Sequence, residues 1–93
     1  MPLYAIICKD KPGALQTRLD IRPTHLDYLN NSPNLKLAGA LLDDDGDPIG
    51  SIIVVEAEDK TTAQAQADND PFTKAGVFES VEVRPWRLAI GAL

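Results

Sequence analysis

The sequence has little of the residue types that build metal and redox sites. It contains one cysteine, Cys8, and one histidine, His25. A single cysteine excludes an internal disulfide and a cysteine-based zinc site. A single histidine excludes a metal site that needs several histidines from one chain.

Long apolar runs and an excess of basic residues are also absent. No apolar run approaches the roughly 18 residues of a membrane-spanning helix. The first nine residues, MPLYAIICK, lack the basic start and long apolar stretch of a signal peptide. Acidic residues number 14 and basic residues 9, for a net charge of −5, so binding to a nucleic-acid backbone is disfavoured. We therefore expect a cytoplasmic protein that binds neither nucleic acid nor membrane.

The length of the chain limits its organisation to one domain. It has 93 residues, of which 44% are apolar and 25% charged, which is ordinary for a globular protein. No internal repeat, low-complexity tract or linker interrupts it. Residues 1–93 are therefore interpreted as one domain with a single modest core.

Hydrophobic patterning and turn residues predict alternating strands and helices. The predicted strands are Leu3–Cys8, Leu35–Leu42, Ile49–Glu56 and Val77–Val83, and the predicted helices are Ala14–Asn31 and Asp59–Asn69, with one more helical turn at Pro71–Ala75. The order strand, helix, strand, strand, helix, strand is that of the ferredoxin-like α+β fold. It predicts one antiparallel sheet with both helices on one face.

The first helix contains a proline that is expected to disturb it. Pro23 lacks a backbone donor and disfavours the α conformation at Arg22. We expect a kink there, or a second helix that begins near Pro23. The leucines of this segment fall near one stripe, which Arg22 interrupts: Leu15, Leu19, Leu26 and Leu29.

The opposite face of the predicted sheet is apolar as well. Apolar residues occupy both alternating sets of positions in the first and third strands. A large apolar face that the helices do not cover usually marks an interface. We therefore expect a homodimer in which two sheets pack face to face.

The segment between the second and third strands is rich in aspartate. Asp43-Asp44-Asp45-Gly46-Asp47-Pro48 resembles a calcium loop only superficially, because Pro48 and Val54 stand where the EF-hand pattern needs a glycine and a carboxylate. The Asp-Gly pair suits a hairpin turn. We expect the aspartates to be solvated and dispensable.

His25 is the residue best suited to proton transfer, because histidine titrates near neutral pH. On a helix, Arg18, Arg22 and His25 project to neighbouring positions. Two nearby cations favour the neutral imidazole, which can act as a base. The alternative is a histidine on the helix surface with no role.

Asp70 precedes a proline and therefore stands where a helix N-cap would stand. Capping uses one carboxylate oxygen, so the other could face a cleft. Cys8 is expected to be a small buried residue. Nothing local activates Ser51 as a nucleophile, and the preceding Gly50 indicates a bulge or the close approach of another group.

Several short blocks along the chain resemble the YciI-like (YCII-related) domain family. The resemblance covers nearly the whole chain and departs from the family pattern at Ala40, where many members carry proline. The matching blocks are DKPG (10–13), RLDIRPTHL (18–26), AG (38–39), GS (50–51), DPF (70–72), AGVF (75–78) and VRPW (83–86).

The resemblance implies a dimeric α/β-barrel variant of the ferredoxin-like fold. It also implies a site built around a histidine and an aspartate, which correspond here to His25 and Asp70. Some related proteins are linked to the degradation of chlorinated aromatic compounds.

We therefore hypothesise a small enzyme of the lyase or isomerase type that needs no metal or organic cofactor. His25 would be the general acid/base and Asp70 its hydrogen-bond partner. We expect a His25 ring nitrogen within about 6 Å of an Asp70 carboxylate oxygen. The expected substrate-binding residues are Arg18 or Arg22 for an anionic group, Gly39 and Ser51 in the cleft lining, and Tyr4 and Trp86 as apolar walls.

Two other interpretations use the same residues. One is a non-catalytic dimeric module that binds a small ligand or a partner protein through this cleft. The other is a purely structural dimer with a filled cleft.

Overall fold

The computed structural model describes residues 1–93, and its elements follow the predicted order. The strands are β1 (Leu3–Asp10), β2 (Leu35–Leu42), β3 (Pro48–Glu56) and β4 (Phe78–Trp86). The helices are α1 (Leu15–Asn30), α2 (Lys60–Asp68) and α3 (Pro71–Lys74), the last of which is the further turn expected after Asp70.

The four strands form one antiparallel sheet in the order β2-β3-β1-β4. The central strand β1 pairs with both β3 and β4, which places Cys8 between Ser51 and Val81. This topology is the ferredoxin-like α+β fold predicted from the order of elements.

The core lies between the sheet and the helices. Tyr4, Ile6 and Cys8 alternate along β1 and share the face that the helices cover. The same cluster contains Ile53 and Val55 of β3, Val83 of β4, Leu29 of α1, Ala57, and Ala63 and Ala67 of α2. The small alanines let α2 approach the sheet closely.

Helix α1 runs from Leu15 to Asn30 as one helix, so the second helix, one of the two alternatives expected near Pro23, is absent. Pro23 lies on the exposed side of the helix. On that side, the carbonyl group that loses its amide partner remains open to water, which reduces the cost of a proline inside a helix.

The buried face of α1 also differs from the predicted leucine stripe. The residues of α1 that are buried are Arg18, His25 and Leu29, whereas Leu15, Leu19 and Leu26 remain 37–46% exposed. Of the four leucines only Leu29 is buried, because Arg18 and His25 occupy the inward face and pair with carboxylates from other elements. These pairs, rather than apolar burial alone, decide which face turns inward.

The loop between β2 and β3 runs from Asp43 to Asp47 and is ordered by one of its aspartates. The Asp43 carboxylate accepts hydrogen bonds from the backbone amides of Asp45 and Asp47, each at 2.9 Å. Gly46 has a φ of 90°, a conformation that residues with a side chain rarely adopt. Asp43 therefore has a structural role in the loop, whereas Asp44 makes no side-chain hydrogen bond within it.

None of the helices combines the length and hydropathy of a membrane span. The chain also brings together no cluster of three or more histidine, cysteine, aspartate or glutamate side chains that could hold a metal ion.

Candidate active site

A cavity of about 370 Å³ lies between α1 and the β2–β3 half of the sheet. Its volume falls at the lower end of the range of about 300–1,000 Å³ for ligand pockets. Its lining combines four polar side chains with apolar walls: Arg18, Leu19, Arg22, His25, Leu26, Leu29, Ala38, Gly39, Ala40, Leu42, Pro48, Ser51, Ile53 and Phe72. Leu19 and Leu26 of α1, which are not packed into the core, thus form part of the cavity wall.

His25 and Asp70 are in direct contact beside this cavity. The His25 Nδ1 and Asp70 Oδ1 atoms are 2.9 Å apart, well inside the predicted separation, and both side chains are buried. An Nδ1–H that donates to the carboxylate leaves Nε2 as the basic nitrogen of the neutral ring. Nε2 has no hydrogen-bond partner within the protein.

The N-terminus of α3 places Asp70 at this position. Asp70 has an extended conformation, and Pro71 occupies the first position of the helix, where a missing amide hydrogen costs little. Asp70 Oδ1 also accepts a hydrogen bond from the Phe72 amide at 2.9 Å. Asp70 Oδ1 therefore makes both the capping hydrogen bond and the contact with His25, whereas we had expected the two carboxylate oxygens to divide these roles.

A second buried pair joins α1 to the sheet. Arg18 Nη1 donates to both carboxylate oxygens of Asp10, at 2.8 and 2.9 Å, and Arg18 Nη2 donates to Ser51 Oγ at 2.6 Å. Arg18 is 4% exposed and Ser51 is 1% exposed. Asp10 therefore compensates the charge of Arg18, and hydrogen bonds from Nη1 and Nη2 fix the position of the guanidinium group.

The turn that joins β1 to α1 brings Asp10 and Arg18 together. Gly13 has a φ of 78°, and the Ala14 amide donates to the Lys11 carbonyl, which reverses the chain within four residues. Because β1 extends to Asp10 rather than ending at Cys8, the Asp10 carboxylate reaches the first turns of α1. Asp10 is a residue of the site that our sequence interpretation missed.

Phe72 connects the two polar pairs and was also missed. Its ring stacks on the His25 imidazole, with centroids 3.9 Å apart and an angle of 13° between the planes. The Arg18 guanidinium carbon lies 4.6 Å from the centroid of the same ring. Phe72 thereby limits the rotation of the imidazole and contributes a cation–π contact. The block Asp-Pro-Phe was the only sequence signal for it.

Cys8 is buried in the sheet beside Ser51. Burial raises the pKa of the Cys8 thiol to about 12, and the negative charge of Asp70 adds to the effect while Arg18 opposes it. Cys8 is therefore a neutral packing residue beside Ser51, as its isolation in the sequence indicated.

Gly50 allows β1 and β3 to approach beside Ser51. A Cβ atom at this position would lie 2.5 Å from the Cys8 carbonyl oxygen and 3.2 Å from the Leu41 Cδ1 atom. The close approach of another group, one of the two interpretations of this glycine, is thus confirmed. The register of β2 and β3 also shifts nearby, between Leu41 and Leu42.

The structure separates the remaining predicted site residues into two groups. Arg22 and Gly39 line the cavity, and no side-chain hydrogen bond or ion pair engages Arg22. Tyr4 and Trp86 lie outside it, because Tyr4 belongs to the core near the far end of β1 and Trp86 pairs with Leu3 at the end of β4. The expected aromatic walls are therefore absent, and the lining is aliphatic apart from Phe72.

Comparison with known proteins gives relatives along almost the whole chain. The protein YciI of Escherichia coli O6:H1 is 39% identical over 94 residues, which cover 91% of this chain and 96% of the relative. An uncharacterised protein of Haemophilus influenzae is 31% identical, with 90% and 95% covered.

Solved structures show the same fold. The 5-chloro-2-hydroxyhydroquinone dehydrochlorinase of Burkholderia phenoliruptrix AC1100, solved in complex with 2,5-dihydroxybenzoquinone, superposes with a TM-score of 0.84. It is 38% identical, with 94% of this chain and 95% of the other covered. An antibiotic biosynthesis monooxygenase shares the fold at 14% identity and a TM-score of 0.59, with 97% of this chain and 100% of the other covered.

A model of the YCII-related domain matches residues 2–87. The match includes Asp10, Arg18, His25 and Asp70 of the site described above. The chain therefore belongs to the YCII-related domain family.

Proposed function

We propose that this protein is an enzyme in which His25 moves a proton on a small substrate in an elimination or an isomerisation. The observation that carries the proposal is the orientation of the imidazole. Nδ1 is bonded to the Asp70 carboxylate at 2.9 Å, while the ring lines the cavity and Nε2 has no partner in the protein. A carboxylate that holds one nitrogen makes the other a better base and stabilises the imidazolium that forms.

In an elimination, His25 Nε2 accepts a proton from a substrate hydroxyl group that is conjugated with the carbon bearing the leaving group; on a ring, this carbon is saturated in the keto tautomer. The electron pair of the broken O–H bond forms a carbonyl group, the conjugated double bond shifts by one position, and the leaving group departs with the electron pair of its own bond. In an isomerisation, the same proton returns to a different atom of the substrate. Neither reaction changes the oxidation state of the protein or consumes a second reactant.

The cavity favours a small substrate that is anionic or aromatic. Arg22 supplies an unpaired cation at the cavity, in a chain whose net charge is −5. The aliphatic walls and the ring of Phe72 suit a flat apolar body. A substrate with one ring and one ionised group satisfies both features.

The similar dehydrochlorinase supports this reaction class, because the loss of hydrogen chloride is an elimination. We therefore choose 5-chloro-2-hydroxyhydroquinone as the test substrate and chloride release as the assay. We expect turnover by the wild type, and a loss of at least 100-fold in His25→Gln, because general acid–base catalysis contributes about 10²–10⁴-fold. Thr24→Gln changes the exposed neighbour of His25 and serves as the matched control.

Binding of 2,5-dihydroxybenzoquinone separates catalysis from simple ligand binding. If His25→Gln binds this compound with unchanged affinity but does not release chloride, His25 acts in the chemical step. If the wild type binds the compound and turns over no substrate, the protein is a ligand-binding module. Turnover by His25→Gln at the wild-type rate would refute the proposed role of His25.

We also propose that two copies of the chain pack through the sheet face opposite the helices. Large apolar side chains on this face are each about 40% exposed: Ile7, Leu37, Leu41, Ile52 and Trp86. Burying such a surface is favourable by about 25 cal/mol per Å², and the symmetric partner for a self-complementary face is a second copy.

Sedimentation equilibrium tests the dimer. We expect a dimer at micromolar concentration, and a monomer for Ile52→Glu, which places a charge in the centre of the face. Ile49→Glu, at the hairpin end of the same strand, is the matched control. A wild-type monomer at that concentration would contradict this assembly.

A further inference from the structure

We propose that Ser51 donates a hydrogen bond to the substrate oxygen on which negative charge develops, and that Arg18 holds and polarises this serine. The inference rests on the proposed function, because it concerns the substrate oxygen that becomes negatively charged when His25 removes a proton. It assigns Arg18 a different role from the binding of an anionic group that the sequence indicated.

The hydrogen bonds of Ser51 leave its proton available. Its oxygen accepts from Arg18 Nη2 at 2.6 Å, so one lone pair is occupied. A hydroxyl has one hydrogen to donate, and no acceptor in the protein takes it. Ser51 is 1% exposed and nevertheless lines the cavity that His25 lines. A buried donor without a protein acceptor, placed at a ligand cavity, is suited to an oxygen of the ligand.

The protein engages both terminal nitrogens of Arg18, and Asp10 compensates its charge. Its Nη1 is shared between the two oxygens of Asp10, and its Nη2 is engaged by Ser51. Its guanidinium carbon lies over the Phe72 ring, 4.6 Å from the ring centroid. Arg18 is therefore a positioning residue, and Arg22 is the cation that remains for an ionised substituent.

The contact with Arg18 strengthens the donor. A hydroxyl that accepts a hydrogen bond from a cation is a better donor itself, because hydrogen bonds in series polarise one another. The environment is dry, since Ser51 and Cys8 beside it are each 1% exposed. Fixed donors aimed at a developing charge are most effective where water is excluded.

The substrate class follows from this arrangement. The substrate carries a hydroxyl group conjugated with the carbon that bears the leaving group. When the hydroxyl proton passes to His25 Nε2, the electron pair of the O–H bond stays on that oxygen, which becomes enolate-like. Ser51 keeps its own proton and donates a hydrogen bond throughout. That pair then forms a carbonyl group, and the displaced conjugated electrons expel the leaving group or take up the proton at a carbon.

Turnover of 5-chloro-2-hydroxyhydroquinone tests the role of Ser51. Loss of one donor to a developing oxyanion reduces kcat by about 10²–10³-fold, and we expect this reduction in Ser51→Ala with little change in KM. Ser51→Thr retains the hydroxyl and should recover most of the rate. A Ser51→Ala enzyme whose kcat lies within threefold of the wild type would overturn the proposal.

A double-substitution cycle tests the positioning role of Arg18. Arg18→Lys keeps the charge beside Asp10 but cannot engage Ser51 in the same way. We expect it to reduce kcat in the wild-type background and to have no further effect in Ser51→Ala, because Arg18 acts only through the Ser51 hydroxyl. An equal reduction in both backgrounds would show that Arg18 acts independently of Ser51.

Two results separate the failure of this inference from the failure of the proposed function. If His25→Gln abolishes turnover and Ser51→Ala does not, the proton-transfer function stands and the Ser51 assignment is wrong. If the wild type has no turnover, binding of 2,5-dihydroxybenzoquinone still tests Ser51, because the ionised oxygens of this compound resemble the developing charge. Affinity at least tenfold weaker in Ser51→Ala would support the assignment, and equal affinity would overturn it.

Discussion

Replacing Asp70 with asparagine separates the charge of the buried pair from its hydrogen bonds. Asp70 Oδ1 accepts from both the His25 ring and the Phe72 amide. The amide oxygen of asparagine can accept both bonds in the same place. A flipped side chain would direct an NH₂ group at the Phe72 amide, which is itself a donor, so the cap selects the orientation that also suits His25.

The expected effect on turnover follows from the lost charge. Two unit charges about 4 Å apart interact by about 4 kcal/mol at an effective dielectric constant of about 20. The amide dipole retains part of this interaction with the imidazolium. We therefore expect Asp70→Asn to raise the barrier by about 3 kcal/mol, which reduces kcat by about 100-fold.

Asp70→Ala provides the contrasting variant. It removes the N-cap, which costs about 1 kcal/mol, and it leaves buried donors on His25 and Phe72 without an acceptor, at about 1–3 kcal/mol each. We expect its melting temperature to fall by roughly 10 °C or more, whereas that of Asp70→Asn should remain close to the wild type.

Chloride release and thermal unfolding measured on the same preparations check both expectations. If Asp70→Asn turns over substrate at the wild-type rate while Asp70→Ala only melts earlier, Asp70 is a helix cap without a role in proton transfer.

Other predictions concern the surroundings of the site. The Cys8 thiol should not react with a disulfide reagent at pH 8 until the chain unfolds, and rapid reaction in the native state would contradict its burial. Because burial raises the pKa of the thiol from 9.0 to about 12, its contribution to stability is complete below pH 9 and is lost as the pH rises through 12. Gly50→Ala should lower the free energy of unfolding by about 1–3 kcal/mol in urea titrations, since its Cβ would meet a backbone oxygen, and an unchanged midpoint would refute the close approach. Asp44→Asn should change the free energy of unfolding by less than about 0.5 kcal/mol. Asp43→Ala should lower the melting temperature, because the backbone amides of Asp45 and Asp47 lose their acceptor. Equal melting temperatures for Asp43→Ala and the wild type would show that these two hydrogen bonds are dispensable.

Much of the fold could be predicted because it follows from local patterns. The bounds of β2 agree with the prediction at both ends, and the order of the elements was sufficient to identify the topology. The contact between His25 and Asp70 was also predictable, although 45 positions separate them. Both helices had to lie on one sheet face. The C-terminal half of α1, which carries His25, could therefore approach the end of α2, after which Asp70 follows.

What could not be predicted depends on register and on pairing between distant residues. Asp10 was interpreted as part of a turn, because its strand continues two residues beyond its last apolar position. The exclusion of Tyr4 and Trp86 from the cavity follows from where along their strands they lie, and the alternation of side chains does not reveal this. The orientation of α1 followed its two polar pairs, Arg18 with Asp10 and His25 with Asp70, which a hydrophobic pattern cannot detect.

The polar inner face of α1 also determines how uniquely the chain can fold. A purely apolar helix face can slide or rotate against a sheet at small cost, since many arrangements bury similar areas. Arg18 and His25 lie seven positions apart, and each has one carboxylate partner in place. A shift of α1 by one turn would bury both groups away from Asp10 and Asp70, and an unpaired buried charge is far more costly than imperfect apolar packing. The two carboxylates therefore specify a single docking position for the helix.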